Sequence, residues 1–265
     1  MTSEPLRVEQ HGPVRWLTMN RPAQRNAFNR ELVDAFAAQV DDIADDPNTA
    51  VVVVTGEGPS FSAGGDFRHF LAVDEGVGRG VADFLTYMSS VFAKIDASPK
   101  PWVAALHGHV IAGGLELALV CDVVIAAEGT QIGDGHLNNK LLPGAGSSVR
   151  LERAVGKSFA RWMHLSGETL SAEQLTTSGW ILDVVPQPQL QARASAAAAT
   201  LAQRDRRVQR NFKELLTEIR EMNETAALTR EIEAFQSNWN ESDVPSALRE
   251  FLEARTRNKT GGSDR

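Results

Sequence analysis

The sequence predicts an α/β domain followed by an all-helical C-terminal region. Apolar, strand-like runs at 51–55, 101–106 and 122–127 each lead into a turn that contains glycine and polar residues. Helical patterns lie between these runs, and strands that alternate with helices favour a parallel sheet. The run 51–55 is almost entirely valine, which is typical of a parallel strand that is covered on both faces.

The boundary of the helical region is placed where the strand patterns end. Beyond Pro188 the chain has apolar residues at helical spacing and no strand pattern. We therefore expect a core at 1–189, a helical region at 190–258 and a disordered tail at 259–265. Because a helical end of this kind cannot build a full core alone, we expect it to pack on a neighbouring chain in an oligomer.

Individual elements follow from local patterns along the chain. Strands are predicted at 14–19, 51–55, 101–106, 122–127 and 184–185. Helices are predicted at 29–43, 81–95, 115–121, 147–155, 158–165, 170–182, 189–203, 208–222, 225–239 and 245–256. Asn29 is the predicted cap of the first helix. The mixed glycine and charged residues of 67–80 predict a mobile loop.

Composition excludes several classes of protein. The net charge of −7 and the pI near 5.4 argue against a dedicated nucleic-acid binder. The single cysteine, Cys121, lies in an apolar run, so it predicts a buried thiol and a reducing compartment. The sequence has no apolar N-terminal signal region and no run that is long enough to span a membrane, which predicts a soluble, cytoplasmic protein.

Glu116 is the most informative residue in the stretch 100–122. It lies in an apolar segment that follows a glycine turn. A buried charge there is costly unless hydrogen bonds stabilise it or the protein uses it for function. A glycine turn that opens a helix presents unpaired backbone N–H groups, and a carboxylate beside them suits enolate or acyl chemistry. The alternative is a buried glutamate that is hydrogen-bonded within a tightly packed turn and has no catalytic role.

Other familiar motifs are absent. The glycine runs at 56–61 and 144–149 lack the third glycine of a dinucleotide fingerprint, 151–158 lacks the first glycine of a phosphate-binding loop, and no serine-hydrolase elbow occurs. His107 and His109 could bind a metal with His136 or Asp134, but no ligand spacing of a known kind surrounds them. No metal site is expected.

Two glycine turns, each after a buried strand, and a glutamate after the second form a specific combination. With their flanking residues they resemble the crotonase (enoyl-CoA hydratase/isomerase) superfamily. The matching segments, which together cover roughly residues 8–188, are Leu17-Thr-Met-Asn-Arg-Pro22, Asn26-Ala27-Phe28, Gly56-Glu-Gly58, Phe61-Ser62-Ala63-Gly64-Gly65-Asp66, Lys100-Pro101 through Gly108, Ala112-Gly113-Gly114-Leu115-Glu116-Leu117-Ala118, Cys121-Asp122, Leu142-Pro143-Gly144-Ala145-Gly146, Gly167-Glu168, and Ala172 through Gly179.

The resemblance implies a spiral of ββα repeats with a helical C-terminal region that supports trimers or hexamers. It also implies an acyl-CoA thioester as substrate, with coenzyme A as part of the substrate and no separate cofactor. Carried over by position, the oxyanion hole would be the backbone N–H groups of Gly65 and Gly113. Glu116 matches the first catalytic glutamate of the family's hydratases.

The second catalytic glutamate of those hydratases falls on His136 in this sequence. A histidine transfers protons near neutral pH, and Asp134 is a candidate to orient it or to replace it. The alternative is that His136 only shapes the pocket. This departure keeps two other activities open: an isomerase, decarboxylase or C–C hydrolase that uses His136, or an acyl-CoA-binding protein without hydration activity.

Further substrate-binding candidates follow from the same matching positions. Five of them lie in or beside the glycine turns and the 142–146 segment: Ala63, Asp66, Gly114, Pro143 and Gly144. The segment 67–80 would cover the acyl chain, with Phe70, Leu71 and Phe84 as lining candidates. Arg25 and Arg68 could contact the CoA phosphates, or both could be solvated surface charges.

Overall fold

The computed structural model describes residues 4–74 and 80–260, and side chains up to residue 254. Its strands are β1 Leu6–His11, β2 Val14–Met19, β3 Val51–Gly56, β4 Trp102–Leu106, β5 His109–Ile111, β6 Val123–Ala127, β7 Gln131–Gly133, β8 Leu170–Ser171 and β9 Ile181–Val185. Its α-helices are α1 Arg30–Asp45, α2 Phe67–Asp74, α3 Gly80–Asp96, α4 Gly113–Ala118, α5 Ser147–Val155, α6 Lys157–Ser166, α7 Ala172–Thr176, α8 Leu190–Ala202, α9 Arg206–Glu218, α10 Glu224–Glu241 and α11 Val244–Thr260. Among the described helices, none is both long and apolar enough to cross a membrane.

The described strands form two sheets. The larger has the order β1-β2-β3-β4-β6-β9, and every neighbouring pair in it is parallel except β1 and β2. The smaller has the order β5-β7-β8, with β5 and β7 parallel and β8 antiparallel to β7. The predicted α/β class with a parallel sheet is therefore confirmed.

The larger sheet is covered on both faces, as the valine run predicted. In β3, Val52 and Val54 belong to one buried cluster, whereas Val51 and Val53 belong to the other. Successive side chains of a strand point to opposite faces, so each face of β3 contributes two valines to a core. The first cluster includes side chains of α1 and α3, and the second includes those of α8.

The predicted domain boundary at 189/190 differs from the one in the structure. Contacts divide the chain into two units, Met1–Gln203 and Arg204–Arg265. Helix α8 belongs to the first unit because Leu190, Ala194 and Ala198 are buried against the larger sheet. Small alanine side chains let this helix lie close to the strands. The predicted tail at 259–265 begins inside α11, and 261–265 lie outside the described residues.

Several local predictions are corrected by the structure. Residues 67–74 form α2 and not a loop; 75–79 lie outside the described residues. The single helix predicted over 170–182 is a short strand, then α7, then the start of β9. Strand β1 was missed because five of its six side chains are exposed, which removes the apolar pattern of a buried strand.

Candidate active site

One cavity in the first unit collects seven of the residues that the sequence singled out. These are Ala63, Gly65, Phe70, Gly113, Glu116, His136 and Gly144. The rest of its lining was not predicted and is mostly apolar: Phe67, Val81, Leu85, Met88, Ile111, Ala112, Gly135, Asn139, Leu141 and Leu142. A largely apolar lining with a few convergent polar groups is the usual composition of a small-molecule site.

The first glycine turn is held in place by a buried amide. The Asn26 side chain accepts a hydrogen bond from Arg21 N and donates to the carbonyl oxygens of Glu57 and Ser60. Ser62 Oγ donates to Asn26 O and accepts from Gly64 N. These bonds tie the 21–28 segment to the turn, so the backbone around Gly65 has a fixed position.

The orientation of the Gly65 N–H group follows from one hydrogen bond. Phe28 N donates to Gly64 O at 2.7 Å. In a trans peptide group the C=O and N–H bonds point in opposite directions, so Gly65 N–H points away from Phe28. Among the described residues no acceptor binds it, and Gly65 itself lines the cavity.

The Gly113 N–H group is oriented in the same way. Glu116 N donates to Ala112 O at 2.9 Å, so the N–H of the same peptide group points to the opposite side. Within the described part of the chain, Gly113 N–H also has no acceptor. The two turns are in contact, since a Cβ added to Gly64 would lie 3.3 Å from Gly113 N.

Ala112 adopts a strained conformation between the smaller sheet and α4. Its φ of 49° and ψ of −115° lie outside the regions that an L-residue usually adopts. Ala112 N donates to Gly133 O, which anchors the strained residue to β7. Strain of this kind costs about 1–3 kcal/mol and persists when the surroundings fix it. Here it gives the 112–113 peptide group its direction.

Glu116 is buried on the wall of the cavity and is held by backbone donors. Its Oε1 accepts hydrogen bonds from Ala145 N at 2.8 Å and Ser147 N at 3.1 Å. Ser147 is the first residue of α5, so the carboxylate lies at the N-terminus of that helix, where a negative charge is stabilised. One carboxylate oxygen is thereby fixed while the side chain borders the cavity.

Asp134 and His136 lie side by side, but only His136 lines the cavity. His136 Nδ1 is 3.1 Å from Asp134 Oδ1, at an angle that is poor for a hydrogen bond. Burial lowers the pKa of His136, but the Asp134 carboxylate, aided by Glu116, raises it, and the net shift is upward. For Asp134, burial raises the pKa, whereas His136, Ser147 and His164 together lower it below its ordinary value.

Two residues of this cluster were missed by the sequence analysis. Ser147 Oγ donates a hydrogen bond to Asp134 Oδ1, and His164 Nδ1 lies 3.3 Å from Asp134 Oδ2. Nothing local marks either residue, because each reaches Asp134 through the packing of α5 or α6 on the 134–139 segment. Only the folded chain brings them to the site.

Other predicted residues are not part of the cavity lining. Asp66 caps α2 through the N–H groups of Arg68 and His69, and it forms an ion pair with Arg21 at 2.9 Å. Burial raises the pKa of Asp66, but Arg21 and the two N–H groups lower it by more, so the pKa of Asp66 lies below its ordinary value. The side chains of Arg25 and Arg68 are exposed.

The remaining candidates have packing positions. Gly114 lies against the first turn, where an added Cβ would be 2.6 Å from Ser62 O. Pro143 is half-buried beside Gly144 and does not line the cavity. Two residues that were predicted to line the acyl-chain site do not line the cavity. Leu71 is exposed, and Phe84 is buried behind Phe70, with 5.9 Å between the centroids of the two phenyl rings.

The histidines that were considered as metal ligands do not converge. His107 Nε2 is 3.1 Å from Gly58 O, where it helps to join two turns of the chain. Among residues 4–74 and 80–260, no group of three histidine, cysteine or acidic side chains has the geometry of a metal site.

Comparison with known proteins points to one family. The family model described as enoyl-CoA hydratase/isomerase matches residues 9–261. A probable enoyl-CoA hydratase, echA8, of Mycobacterium tuberculosis is 32% identical over 255 residues, which are 96% of this chain and 97% of that protein. The 2,3-dehydroadipyl-CoA hydratase of Escherichia coli is 33% identical over 251 residues, 95% of this chain and 96% of that protein.

Solved structures give the same result for the fold. A crystal structure of enoyl-CoA hydratase from Bacillus anthracis superposes with a TM-score of 0.88 at 26% identity, and the match covers 94% of this chain and 96% of that one. An enoyl-CoA hydratase from Polaromonas sp. superposes with a TM-score of 0.89 at 27% identity, covering 94% and 97% of the two chains. The predicted crotonase-like fold is confirmed.

Proposed function

The chain belongs to the enoyl-CoA hydratase/isomerase family of the crotonase superfamily, and we propose that it adds water to the double bond of an enoyl-CoA thioester in the cavity described above. The observation that carries the proposal is the meeting of the Gly65 and Gly113 N–H groups, which have no acceptor among the described residues, with the buried carboxylate of Glu116. Coenzyme A enters as part of the substrate, and no further cofactor is proposed.

Gly65 and Gly113 supply the oxyanion hole in this proposal. As water adds to the β-carbon, the thioester carbonyl becomes an enolate and its oxygen gains negative charge. Two donors whose directions are already fixed stabilise that charge without reorganising. The bonds from Phe28 N to Gly64 O and from Glu116 N to Ala112 O supply the fixed directions.

Glu116 and His136 divide the proton transfers. The Glu116 carboxylate takes a proton from water while the water oxygen bonds to the β-carbon. Protonated His136 gives its proton to the α-carbon, and the enolate returns to a thioester. The product is a 3-hydroxyacyl thioester, and proton exchange with solvent restores both groups. The upward shift in the pKa of His136 suits it to act as the acid near neutral pH.

The Asp134–His136 pair favours a second candidate function. A histidine that is supported by a carboxylate could also protonate a carbanion formed by C–C cleavage, decarboxylation or double-bond migration. Such a reaction would use the same oxyanion hole. A third candidate, from a different class, is a protein that binds acyl-CoA without hydrating it.

Loss of the conjugated thioester absorbance of crotonyl-CoA tests the proposal. We expect the absorbance to fall with enzyme and the product to be 3-hydroxybutyryl-CoA by mass spectrometry. Binding of crotonyl-CoA by calorimetry without turnover would reject hydration and favour the binding protein. Turnover of a β-keto or β,γ-unsaturated acyl-CoA in place of crotonyl-CoA would favour the second candidate.

The proposed contacts with the CoA phosphates are separate from the chemistry. Arg25 and Arg68 are exposed, so either could reach an anionic group at the cavity entrance. We expect Arg25→Gln and Arg68→Gln to raise KM for crotonyl-CoA and to leave kcat unchanged.

We also propose that the C-terminal helices support a homotrimer or a hexamer. Within the second unit, α9 and α10 enclose an apolar groove whose side chains Phe212, Leu216, Ile232 and Phe235 are all more than half exposed. Large exposed apolar patches mark interaction surfaces. Light scattering after gel filtration would give the assembly mass, and a monomer would contradict the proposal.

A further inference from the structure

Asp134 is the centre of a buried cluster that the proposed reaction uses only in part. One oxygen, Oδ1, accepts a hydrogen bond from Ser147 Oγ and lies 3.1 Å from His136 Nδ1. The other, Oδ2, lies 3.3 Å from His164 Nδ1. One carboxylate therefore stands between two imidazoles, which come from the 3-10 turn at 136–139 and from α6.

The charge of Asp134 is buried beside two imidazoles. Asp134 is 2% exposed, and a buried carboxylate is costly unless hydrogen bonds or an opposite charge stabilise it. Among the described residues, the ion-pair partners of Asp134 are His136 and His164. A proton on either imidazole neutralises the Asp134 charge, so the two rings compete for the same carboxylate.

The two histidines differ in where they lie. His136 lines the cavity, and the ring nitrogen that lies near Asp134 is Nδ1 and not Nε2. His164 does not line the cavity, and its side chain is 22% exposed against 11% for His136. His164 is therefore placed to act on the reaction through Asp134.

We propose that His164 is a positioning residue: by sharing the Asp134 carboxylate, it sets how readily His136 releases its proton into the cavity. This inference rests on the acid role proposed for His136. Because the His164 imidazole lies 3.3 Å from the other oxygen of the same carboxylate, the carboxylate attracts the His136 proton less strongly than it would alone. The charged groups that act on His136 are Asp134 and Glu116, and those that act on Asp134 are His136 and His164.

The test is a titration of the histidine side chains by NMR in the full-length protein labelled with 15N-histidine. The His136 signal is identified by its loss in His136→Gln. His164→Leu removes the imidazole that lies 3.3 Å from Asp134 Oδ2, and we expect the His136 midpoint to rise by about half a pH unit or more. His164→Asn keeps a donor near the Nδ1 position, so its upward shift should be smaller.

His11→Gln is the matched control because His11 is an exposed histidine far from the cluster in the sequence, on β1. It should leave the His136 midpoint unchanged. A His136 midpoint in His164→Leu equal to that of the parent overturns the proposal. Where His164→Leu does not fold, His164→Phe takes its place because it keeps a ring and has no nitrogen near Asp134, and an unchanged His136 midpoint in that variant overturns the proposal equally.

The NMR readout separates this inference from the proposed function. A shifted His136 midpoint with no turnover of crotonyl-CoA rejects hydration and keeps the coupling between the two histidines. Turnover with an unshifted midpoint keeps hydration and rejects the coupling. If the hydration and the coupling are both correct, the alkaline limb of the kcat/KM profile should move to higher pH in His164→Leu, by the same amount as the His136 midpoint.

Discussion

Glu116 and Asp134 are two buried carboxylates of one site, and they are held by different kinds of donor. Backbone N–H groups of Ala145 and Ser147 hold Glu116, whereas side chains of Ser147, His136 and His164 surround Asp134. Backbone donors do not titrate, so the two N–H groups that hold Glu116 are themselves independent of pH. Histidine partners do titrate, so the surroundings of Asp134 change with pH.

Ser147 joins the two halves of this comparison. Its N–H group serves Glu116 and its hydroxyl serves Asp134, so one residue at the start of α5 sets the spacing between both carboxylates. The difference in donors suits the difference in role. Glu116 borders the cavity and contacts substrate in the proposed reaction, while Asp134 acts through the imidazole of His136.

The largest expected effect comes from Glu116→Gln. The amide keeps an oxygen for the N–H groups of Ala145 and Ser147 but loses the base, so kcat with crotonyl-CoA should fall about 10²–10⁴-fold. Binding of crotonyl-CoA, measured by calorimetry, should change little. Glu128→Gln, at an exposed position, is the control and should keep full activity. A Glu116→Gln variant that retained kcat would remove Glu116 from the mechanism.

Asp134→Asn tests the other carboxylate. Without the charge that raises the pKa of His136, burial dominates and that pKa falls. His136 acts as an acid, so in the parent kcat/KM should decline as pH rises through a pKa above the ordinary 6.5. In Asp134→Asn the decline should begin at lower pH, in a profile measured from pH 5 to 9. An unmoved limb would show that Asp134 does not act through His136.

Ser147→Ala separates the two halves, because it deletes the hydroxyl and keeps the N–H group. Loss of a hydrogen bond to a buried carboxylate should lower the free energy of unfolding by about 1–3 kcal/mol, measured by urea denaturation. Ser60→Ala is the matched control, since Ser60 Oγ is buried and has no hydrogen-bond partner among the described residues. It should be neutral or stabilising. Equal losses in both variants would mean that the bond to Asp134 contributes nothing.

The smallest expected effect is a pH dependence of stability. The raised pKa of His136 contributes stability that is fully present below about pH 6.5 and is lost as pH rises through the folded-state pKa. The lowered pKa of Asp134 contributes stability that is present above its unfolded-state pKa and is lost as pH falls through the folded-state value. The advantage of the parent over Asp134→Asn in melting temperature should therefore be largest between these two limits, and it should shrink as pH rises through the His136 pKa or falls through the Asp134 pKa. A constant difference would contradict the coupling.

The sequence by itself determined the fold class and half of the site. The valines of 51–54 alternate between two cores. The sequence predicts this arrangement because successive residues of a strand point to opposite faces, so an unbroken apolar run indicates burial on both faces. Glu116 was visible because it breaks an apolar run, and Gly65 and Gly113 were visible through the family resemblance. Each of these signals lies within a few residues of the group that it marks.

Only the tertiary structure decided the surroundings of those groups. Helix α2 was taken for a loop, although its cap at Asp66 and the packing of Phe70 on Gly65 give it a fixed place. The donors from Ser147 reach Glu116 and Asp134, and the imidazole of His164 reaches Asp134, across many residues of chain. Such contacts leave no periodicity in the sequence, because they arise when separate helices pack on one another and bring distant side chains to one carboxylate.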